Sequence, residues 1–259
     1  MRFRTLTGSL LRLLPNASDS LSGFWYYGLP DFEELAFTLH LLGSGDLFVD
    51  VGANQGGWSL VAAGRGARVF AFEPVPLTRE RLNANIAENS NDIRGRIRVF
   101  PFGLSDEAGQ VGFTADLDAG NHRVSEQSGA RTDVIYVDLV RADNVLRGED
   151  PVLLKIDVEG EELRVLKGAP EVLSKPSLLA VVMETFRPLN FASPSLIEAE
   201  AILREHDFAP MAYDPKGREL HPLIKPGEGM QNTIYVRSPD LVLSRIRRSS
   251  PLPAFGGSI

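Results

Sequence analysis

The chain has 259 residues, of which 43% are hydrophobic and 24% are charged. This composition is ordinary for a globular protein and excludes a wholly disordered chain. The chain contains no cysteine, which excludes disulfides, thiolate zinc sites and iron-sulfur clusters bound by its own residues. The net charge of −7 argues against nucleic acid as a partner.

The N-terminal segment carries no predicted signal peptide. Arg12 interrupts the short leucine cluster at residues 10–14, and no apolar stretch approaches the ~20 residues that cross a bilayer. We therefore expect no integral membrane span and a cytoplasmic location, which the lack of cysteine also fits. A peripheral membrane contact through this segment remains an alternative to a helix that packs on the protein.

Short apolar runs alternate with segments of helical periodicity, which is typical of βαβ units and an α/β fold with a mostly parallel sheet. The predicted strands are residues 46–51, 68–72, 97–102, 152–156, 178–183, 208–213 and 233–236, and the predicted helices are residues 58–63, 77–88, 161–166 and 195–206. Alternating segments within residues 110–140 predict an antiparallel insertion before the fourth strand of the sheet. We divide the chain into an N-terminal extension (1–44, expected to be helical), a main domain (45–240) and a C-terminal tail (241–259).

The sequence VDVGANQGG, residues 49–57, connects the first predicted strand of the domain to the helix that follows it. Ligands of open parallel sheets bind at the carboxyl ends of the strands, and the first βα turn usually cradles them. Gly52 and Gly56 permit a positive φ and a close approach of the backbone to a ligand. Glu73 ends the second strand, where a carboxylate can accept hydrogen bonds from both hydroxyls of a ribose. A tight turn without a ligand is the alternative interpretation.

The turn departs from the dinucleotide pattern G-x-G-x-x-G, because Asn54 stands where the second glycine belongs. This change disfavours a pyrophosphate on the helix N-terminus. A nucleoside cofactor without phosphates fits better, and S-adenosylmethionine is the best candidate. Asp50 and Asn54 could then contact its amino-acid portion.

Polar residues follow two further predicted strands. After the third strand, Leu104 is placed to contact an adenine ring, with Ser105 or Asp106 at the exocyclic amine, although a simple turn or helix cap explains these residues equally well. After the fourth strand, Asp157 lies at the carboxyl edge of the sheet, where the reacting group would be. Lys155 lies inside that apolar strand and must therefore reach a carboxylate or the surface.

The combination FVDVGANQG, FAFEP, FGLSD and LKIDVEGEELRVLKGA, with a later strand that ends in Glu184, resembles the FkbM-type family of class I S-adenosylmethionine-dependent methyltransferases. The similarity covers roughly residues 45–190. It implies a Rossmann-like fold with a seven-stranded sheet whose last strand is antiparallel, and methyl transfer that is usually to a hydroxyl oxygen. It places Asp50, Gly52, Asn54 and Gly56 at the methionine end of the cofactor, Glu73 at the ribose, Leu104, Ser105 and Asp106 at the adenine, and Asp157 and Glu159 at the acceptor.

Methylation of a hydroxyl is helped by a general base, because an alcohol oxygen is a poor nucleophile while it keeps its proton. The candidates are His122, Asp157 and Glu184. His122 lies in a polar loop of the insertion, where an ordinary solvated histidine is the alternative. Asp157, Glu159 and Glu184 also carry the oxygen ligands that magnesium prefers, although their spacing does not demand a metal.

These observations predict O-methylation of a hydroxyl on a sugar, a glycan or a secondary metabolite, with a small-molecule or glycan acceptor as the partner. No pattern in the sequence indicates an oligomeric state. A nicotinamide-dependent oxidoreductase is a second hypothesis, which Asn54 disfavours. A third is a protein without catalytic activity that keeps the nucleoside pocket as a binding or assembly module, and the acidic cluster at Asp157 argues against it.

Overall fold

The computed structural model describes residues 2–5, 7–12, 31–114, 134–185, 193–226, 232–251, 253–254 and 257–258. His122 lies outside these residues, so its role as a base stays a prediction. Within the described ranges, no helix combines the length and the apolar character that a membrane crossing requires.

The strands and helices alternate through most of the chain. The strands are β1 (Arg2–Arg4), β2 (Leu10–Arg12), β3 (Leu47–Val51), β4 (Arg68–Phe72), β5 (Ile97–Phe100), β6 (Gly103–Leu104), β7 (Gly109–Thr114), β8 (Val134–Val140), β9 (Pro151–Ile156), β10 (Ala180–Glu184), β11 (Ala209–Asp214), β12 (Glu219–Pro222), β13 (Asn232–Val236), β14 (Pro253–Ala254) and β15 (Gly257–Ser258). The helices are α1 (Phe32–Leu41), α2 (Gly57–Arg65), α3 (Pro76–Ala87), α4 (Asn91–Arg96), α5 (Ala142–Leu146), α6 (Glu162–Lys167), α7 (Pro170–Leu173), α8 (Pro194–Glu205) and α9 (Pro239–Arg248).

The central sheet has the strand order β12-β11-β13-β10-β9-β3-β4-β5. Strands β10, β9, β3, β4 and β5 are parallel, whereas β13 runs antiparallel between β10 and β11. The described residues thus contain eight strands of this sheet rather than the seven expected. The additional strand is β12, an antiparallel edge strand whose sequence ELHP is largely exposed and therefore lacks the apolar pattern of a buried strand.

A second sheet stands before β9, where the sequence predicts an antiparallel insertion, and it has three strands in the described residues. Its order is β6-β8-β7, and β7 pairs with β8 antiparallel from Gly109 opposite Leu139 to Thr114 opposite Val134. Short β6 runs parallel to β8 and begins directly after β5 and its turn. This arrangement places Leu104 and Ser105 next to the carboxyl edge of the central sheet.

The core lies on both faces of the central sheet. In β3, Phe48 packs on one face, and Leu47, Val49 and Val51 pack on the other, which is the period of two that a strand imposes. The first face is covered by α1, α2 and α9, and the second by α5 to α8. Because both faces are covered, the central strands read as nearly continuous apolar runs.

The chain segments outside the predicted domain also contain regular structure. Of the segment 1–44, residues 32–41 are helical and β1 pairs with β2 as an antiparallel ladder. At the other end, the predicted boundary at residue 240 falls inside α9, whose Val242 and Ile246 are fully buried in the core. The apolar spacing of i and i+4 explains why both side chains point at the sheet.

Replacing Ile246 by alanine should lower the free energy of unfolding by about 2–4 kcal/mol, because the substitution leaves a cavity in the core. Leu241→Ala on the same helix is the control, since Leu241 is 51% exposed and its loss should change stability by about 0.5 kcal/mol or less. Equilibrium unfolding in urea measures both values. Equal stability of the two variants would contradict the packing of α9 against the sheet.

Candidate active site

The turn after β3 is held against the loop after β9. Gly52 has a φ of 81°, and the backbone N–H groups of Gly52 and Ala53 both donate to the Phe72 carbonyl, at 3.1 and 3.0 Å. A Cβ atom on Gly52 would stand 1.9 Å from the Asp157 carbonyl oxygen. The glycine is therefore required by its conformation and by the close approach of the Asp157 backbone.

Gly56 begins α2 with a φ of 88°, and a Cβ atom there would stand 2.4 Å from Leu82 Cδ1. This packing brings α3 against the turn and fixes the position of the turn relative to the end of β4. The two glycines thus serve contacts within the protein, in addition to any ligand contact that the sequence predicts for them.

Glu73 lies at the end of β4 and faces the same turn. Its Oε2 accepts a hydrogen bond from the backbone N–H of Asn54 at 3.0 Å, and its Oε1 accepts one from Val75 at 2.9 Å. Burial raises the pKa of Glu73 to about 7, although both backbone hydrogen bonds favour the ionised form. A carboxylate oxygen accepts about two hydrogen bonds, so each oxygen retains capacity for a hydroxyl donor.

An ion cluster occupies the carboxyl edge of β3 and β9. Lys155 stands opposite Asp50 in the register of the two parallel strands, and Asp157 follows it two residues later on the same face. The Lys155 Nζ lies 3.0 Å from Asp157 Oδ2 and 3.8 Å from Asp50 Oδ1, and the lysine side chain is 3% exposed. The buried lysine therefore reaches carboxylates, which was one of the two outcomes the sequence allowed.

Asp50 is fully buried, and the Ser59 hydroxyl donates to its Oδ2 at 2.6 Å, whereas Oδ1 has no hydrogen-bond partner. Burial raises the pKa of Asp50, and Lys155 offsets part of this effect. Burial by itself would lower the pKa of Lys155, but Asp157 and Asp50 outweigh it and raise that pKa above its usual value. The two carboxylates therefore favour the charged form of Lys155.

Two residues that the sequence analysis missed complete the cluster. The Trp58 ring centroid lies 5.5 Å from Lys155 Nζ, and the Trp58 side chain forms a hydrogen bond with the Asp31 carboxyl group. Burial raises the pKa of Asp31, and Lys155 lowers it in part. Trp58 could have been noticed as the first large residue after the glycine turn, whereas nothing in the local sequence marks Asp31.

The residues predicted at the adenine are joined to α6. Leu104 and Ser105 are buried, and the Ser105 hydroxyl donates to Asp106 Oδ1 at 3.0 Å. Arg164 Nη1 lies 3.1 and 3.3 Å from the two Asp106 oxygens. Burial acts to raise the pKa of Asp106, but the hydrogen bonds from Ser105 and Arg164 outweigh it and lower the pKa below its usual value. The Asp106 carboxylate thus links this loop to α6, and its predicted contact with adenine stays a prediction.

The loop after Asp157 is shaped by two residues with positive φ, Glu159 at 52° and Gly160 at 94°. The Glu162 carboxylate accepts hydrogen bonds from the backbone N–H groups of Val158 at 3.2 Å and Gly160 at 3.1 Å. Glu162 therefore supports the start of α6, which is the structural role expected of an acid in a first helical turn.

A cavity of about 190 Å³ opens beside this loop. It is lined by Glu159, Gly160, Glu162, Leu163, Glu184, Thr185, Ser193, Ser195, Leu196 and Ala199. Burial raises the pKa of Glu184 to about 8, and the charges of Asp157 and Glu159 contribute in the same direction. The structure thus brings Glu159 and Glu184 together at one cavity, with Asp157 close enough to act on Glu184.

Over the part of the chain that the structure describes, His, Asp and Glu side chains form no group of three or more that could hold a metal ion. The magnesium alternative at Asp157, Glu159 and Glu184 therefore remains a sequence-based prediction.

Replacing Lys155 by methionine should lower the free energy of unfolding by about 3–5 kcal/mol, because it leaves the buried Asp50 carboxyl without its cation. Adding Asp50→Asn to this variant should recover part of the loss, since the neutral amide needs no counter-ion. Equilibrium unfolding of the two variants measures the difference. A single variant as stable as the unchanged protein would contradict the ion cluster.

Comparison with known proteins identifies the family. A family model described as "Methyltransferase FkbM domain" matches residues 50–210, which is more than half of the chain. Hexuronic acid methyltransferase AglP of Haloferax volcanii is 36% identical over 139 residues, and the match covers 52% of this chain and 55% of that protein. The 31-O-demethyl-FK506 methyltransferase FkbM of Streptomyces tacrolimicus is 33% identical over 216 residues, covering 68% of this chain and 79% of that protein.

Methyltransferase sdnD of Sordaria araneosa is 30% identical over 212 residues, with the same coverage of 68% and 79%. Among solved structures, precorrin-6y C5,15-methyltransferase from Geobacter metallireducens has a TM-score of 0.48 and 11% identity, covering 88% of this chain and 94% of that one. The parallel sheet with its antiparallel β13 has the architecture that the resemblance implied. The chain belongs to the FkbM family of methyltransferases and has their Rossmann-like class I fold.

Proposed function

We propose that this protein transfers a methyl group from S-adenosylmethionine to a hydroxyl oxygen of a sugar, a glycan or a secondary metabolite. The observation that carries the proposal is the buried Glu73 carboxylate at the end of β4. It faces the glycine turn, and each of its oxygens already accepts one backbone hydrogen bond and retains capacity for another. This is the acceptor arrangement that a ribose diol requires.

The remaining residues of the turn fit the same cofactor. Asp50 has a buried oxygen without a hydrogen-bond partner, and it lies at the end of β3 beside the Lys155 cluster. The methionine end of the cofactor carries an ammonium group, which a carboxylate can accept as a charge-assisted hydrogen bond. Asn54 shares the turn and contributes its backbone to the support of Glu73.

The names of the relatives support a hydroxyl acceptor. One relative is named for a hexuronic acid, and another for 31-O-demethyl-FK506. In this chain, the cavity beside Glu184 is lined by carboxylates and by the hydroxyls of Thr185, Ser193 and Ser195. Such a lining suits an acceptor that is rich in hydroxyl groups.

The mechanism follows from the charges at the cavity. Bound S-adenosylmethionine supplies a methyl group that its positive sulfur already activates. The protein must then align the acceptor oxygen and remove its proton. Asp157 is engaged by Lys155 at 3.0 Å, whereas Glu184 faces the cavity with a pKa raised to about 8. Glu184 is therefore the better placed base among the described candidates, with Asp157 and Glu159 beside the acceptor.

Replacing Glu73 by glutamine should weaken the binding of S-adenosylhomocysteine about tenfold or more, because the amide accepts fewer hydrogen bonds from the ribose. Isothermal titration calorimetry measures this change. Glu80→Gln on α3 is the matched control, since Glu80 is exposed and its substitution should leave the affinity unchanged. Unchanged affinity of the Glu73 variant would contradict the placement of the ribose.

Turnover should rise with pH through about 8 and level off above it, because Glu184 can accept a proton only in its ionised form and its pKa is raised to about 8. Glu184→Gln should lower kcat about 100-fold or more and leave the affinity for S-adenosylhomocysteine within about twofold. Release of S-adenosylhomocysteine is measured between pH 6 and 9.5, with glucuronic acid, methyl glucoside and a polyhydroxylated macrolactone as acceptors. A rate that is independent of pH across this range would contradict the role of Glu184.

A further inference from the structure

Strand β13 brings Asn232 next to Glu184. The strand lies outside residues 50–210, which the family model matches, and it runs antiparallel to β10. Asn232 stands directly opposite Glu184 in the register of the two strands. The side chains of such a pair project from the same face of the sheet, with Cβ atoms about 4.5–5.5 Å apart. The Asn232 amide is therefore a neighbour of the Glu184 carboxyl group, which lines the cavity.

The same face of the sheet also carries Asp157. Val182 stands opposite Lys155 in the parallel register of β10 and β9. Glu184 follows Val182 by two residues, which returns its side chain to the same face, and Asp157 follows Lys155 in the same way. Asp157, Glu184 and Asn232 thus form a row across three neighbouring strands at the carboxyl edge, with Glu184 in the middle.

The Asn232 side chain is buried without an internal partner. It is 4% exposed, and among the described residues its Oδ1 has no hydrogen-bond partner. The adjacent buried hydroxyls of Thr185 and Thr233 differ, because they lie 2.6 Å apart and form a hydrogen bond with each other. Burying a polar group without a partner is unfavourable, so the asparagine requires a donor that the described chain does not supply.

The protons of the proposed reaction define the chemistry of that donor. A hydroxyl group has one proton. The reacting hydroxyl gives this proton to Glu184, its oxygen forms the bond to the methyl carbon, and the bond from that carbon to sulfur breaks. The reacting oxygen therefore has no proton left for the asparagine. The donor to Asn232 must be a second group close to the first, and the broad terminal torsion of asparagine allows its oxygen to turn toward that group.

We propose that Asn232 is a specificity-determining residue of the acceptor site, and that its side-chain oxygen binds a second acceptor hydroxyl on the carbon next to the one that is methylated. This inference rests on the proposed function, in which Glu184 takes the proton of the reacting hydroxyl. Neighbouring side chains on the sheet then bind neighbouring hydroxyls of the acceptor. The acceptor is thereby narrowed to molecules with two adjacent hydroxyl groups, such as a pyranose ring, and an isolated hydroxyl is disfavoured.

The test uses Asn232→Leu in the full chain, because leucine has a similar size but no hydrogen-bonding group. The acceptors are methyl glucoside, whose ring carries adjacent hydroxyls, and cyclohexanol, whose six-membered ring carries one. Release of S-adenosylhomocysteine gives kcat/KM for each. We expect the substitution to lower kcat/KM about tenfold with methyl glucoside and by less than about twofold with cyclohexanol. Asn144→Leu, at an exposed position of α5, is the control and should alter neither value.

A purely structural role of Asn232 would give a different result. Because leucine removes a buried acceptor that lacks a donor, a thermal melt should show the Asn232 variant to be at least as stable as the unchanged protein. Its affinity for S-adenosylhomocysteine, measured by calorimetry, should stay within about twofold. A less stable variant that loses activity equally with both acceptors would overturn the proposal.

The outcomes separate this inference from the proposed function. If the unchanged protein methylates neither acceptor, the proposed function fails first. If it methylates methyl glucoside and Asn232→Leu does so equally well, only the role of Asn232 is overturned. An unchanged protein that methylates cyclohexanol as efficiently as methyl glucoside would overturn the need for adjacent hydroxyls. Methylation of methyl glucoside alone agrees with that need, and the loss in Asn232→Leu is then judged on this acceptor.

Discussion

The pairing of the buried Lys155 ammonium group with Asp50 and Asp157 is the interaction that holds the carboxyl edge of the sheet together. A lysine inside an apolar strand is tolerated only where carboxylates compensate its charge. Asp50 lies opposite it on β3, and Asp157 follows it by two residues on β9. The register of the two parallel strands therefore determines that the charged groups of Asp50, Lys155 and Asp157 lie together at this edge of the sheet.

This ion cluster stands between two halves of the site. On one side, the glycine turn and Glu73 form an arrangement suited to a nucleoside, and Gly52 approaches the Asp157 backbone so closely that the two loops form one unit. On the other side, Glu184 lines the cavity of about 190 Å³. Because Lys155 and Asp157 contact or neighbour both halves, a shift of either side chain would affect the glycine turn and the cavity together.

The sequence predicted those parts of the molecule that depend on local pattern. The strand Arg68–Phe72 was predicted with its observed bounds, since a buried strand next to a helical period is a strong signal. The partners of Asp31 and Asp106 were not predictable, because Trp58 and Arg164 are distant in sequence and only the folded chain brings them together. The exposed strand β12 was not predicted, because its residues are largely exposed and its sequence therefore lacks the alternation of apolar and polar residues that marks a half-buried strand.

The position of β13 shows that the matched family domain and the folded unit differ in extent. The family model matches residues 50–210, yet β13 lies between β10 and β11 in the sheet and comes from residues 232–236. A polypeptide cut at the limits of that stretch would lack β13 and most of β11, so β10 would present an open backbone edge, which invites self-association. The matched family domain is therefore shorter than the part of the chain that must fold to complete the central sheet.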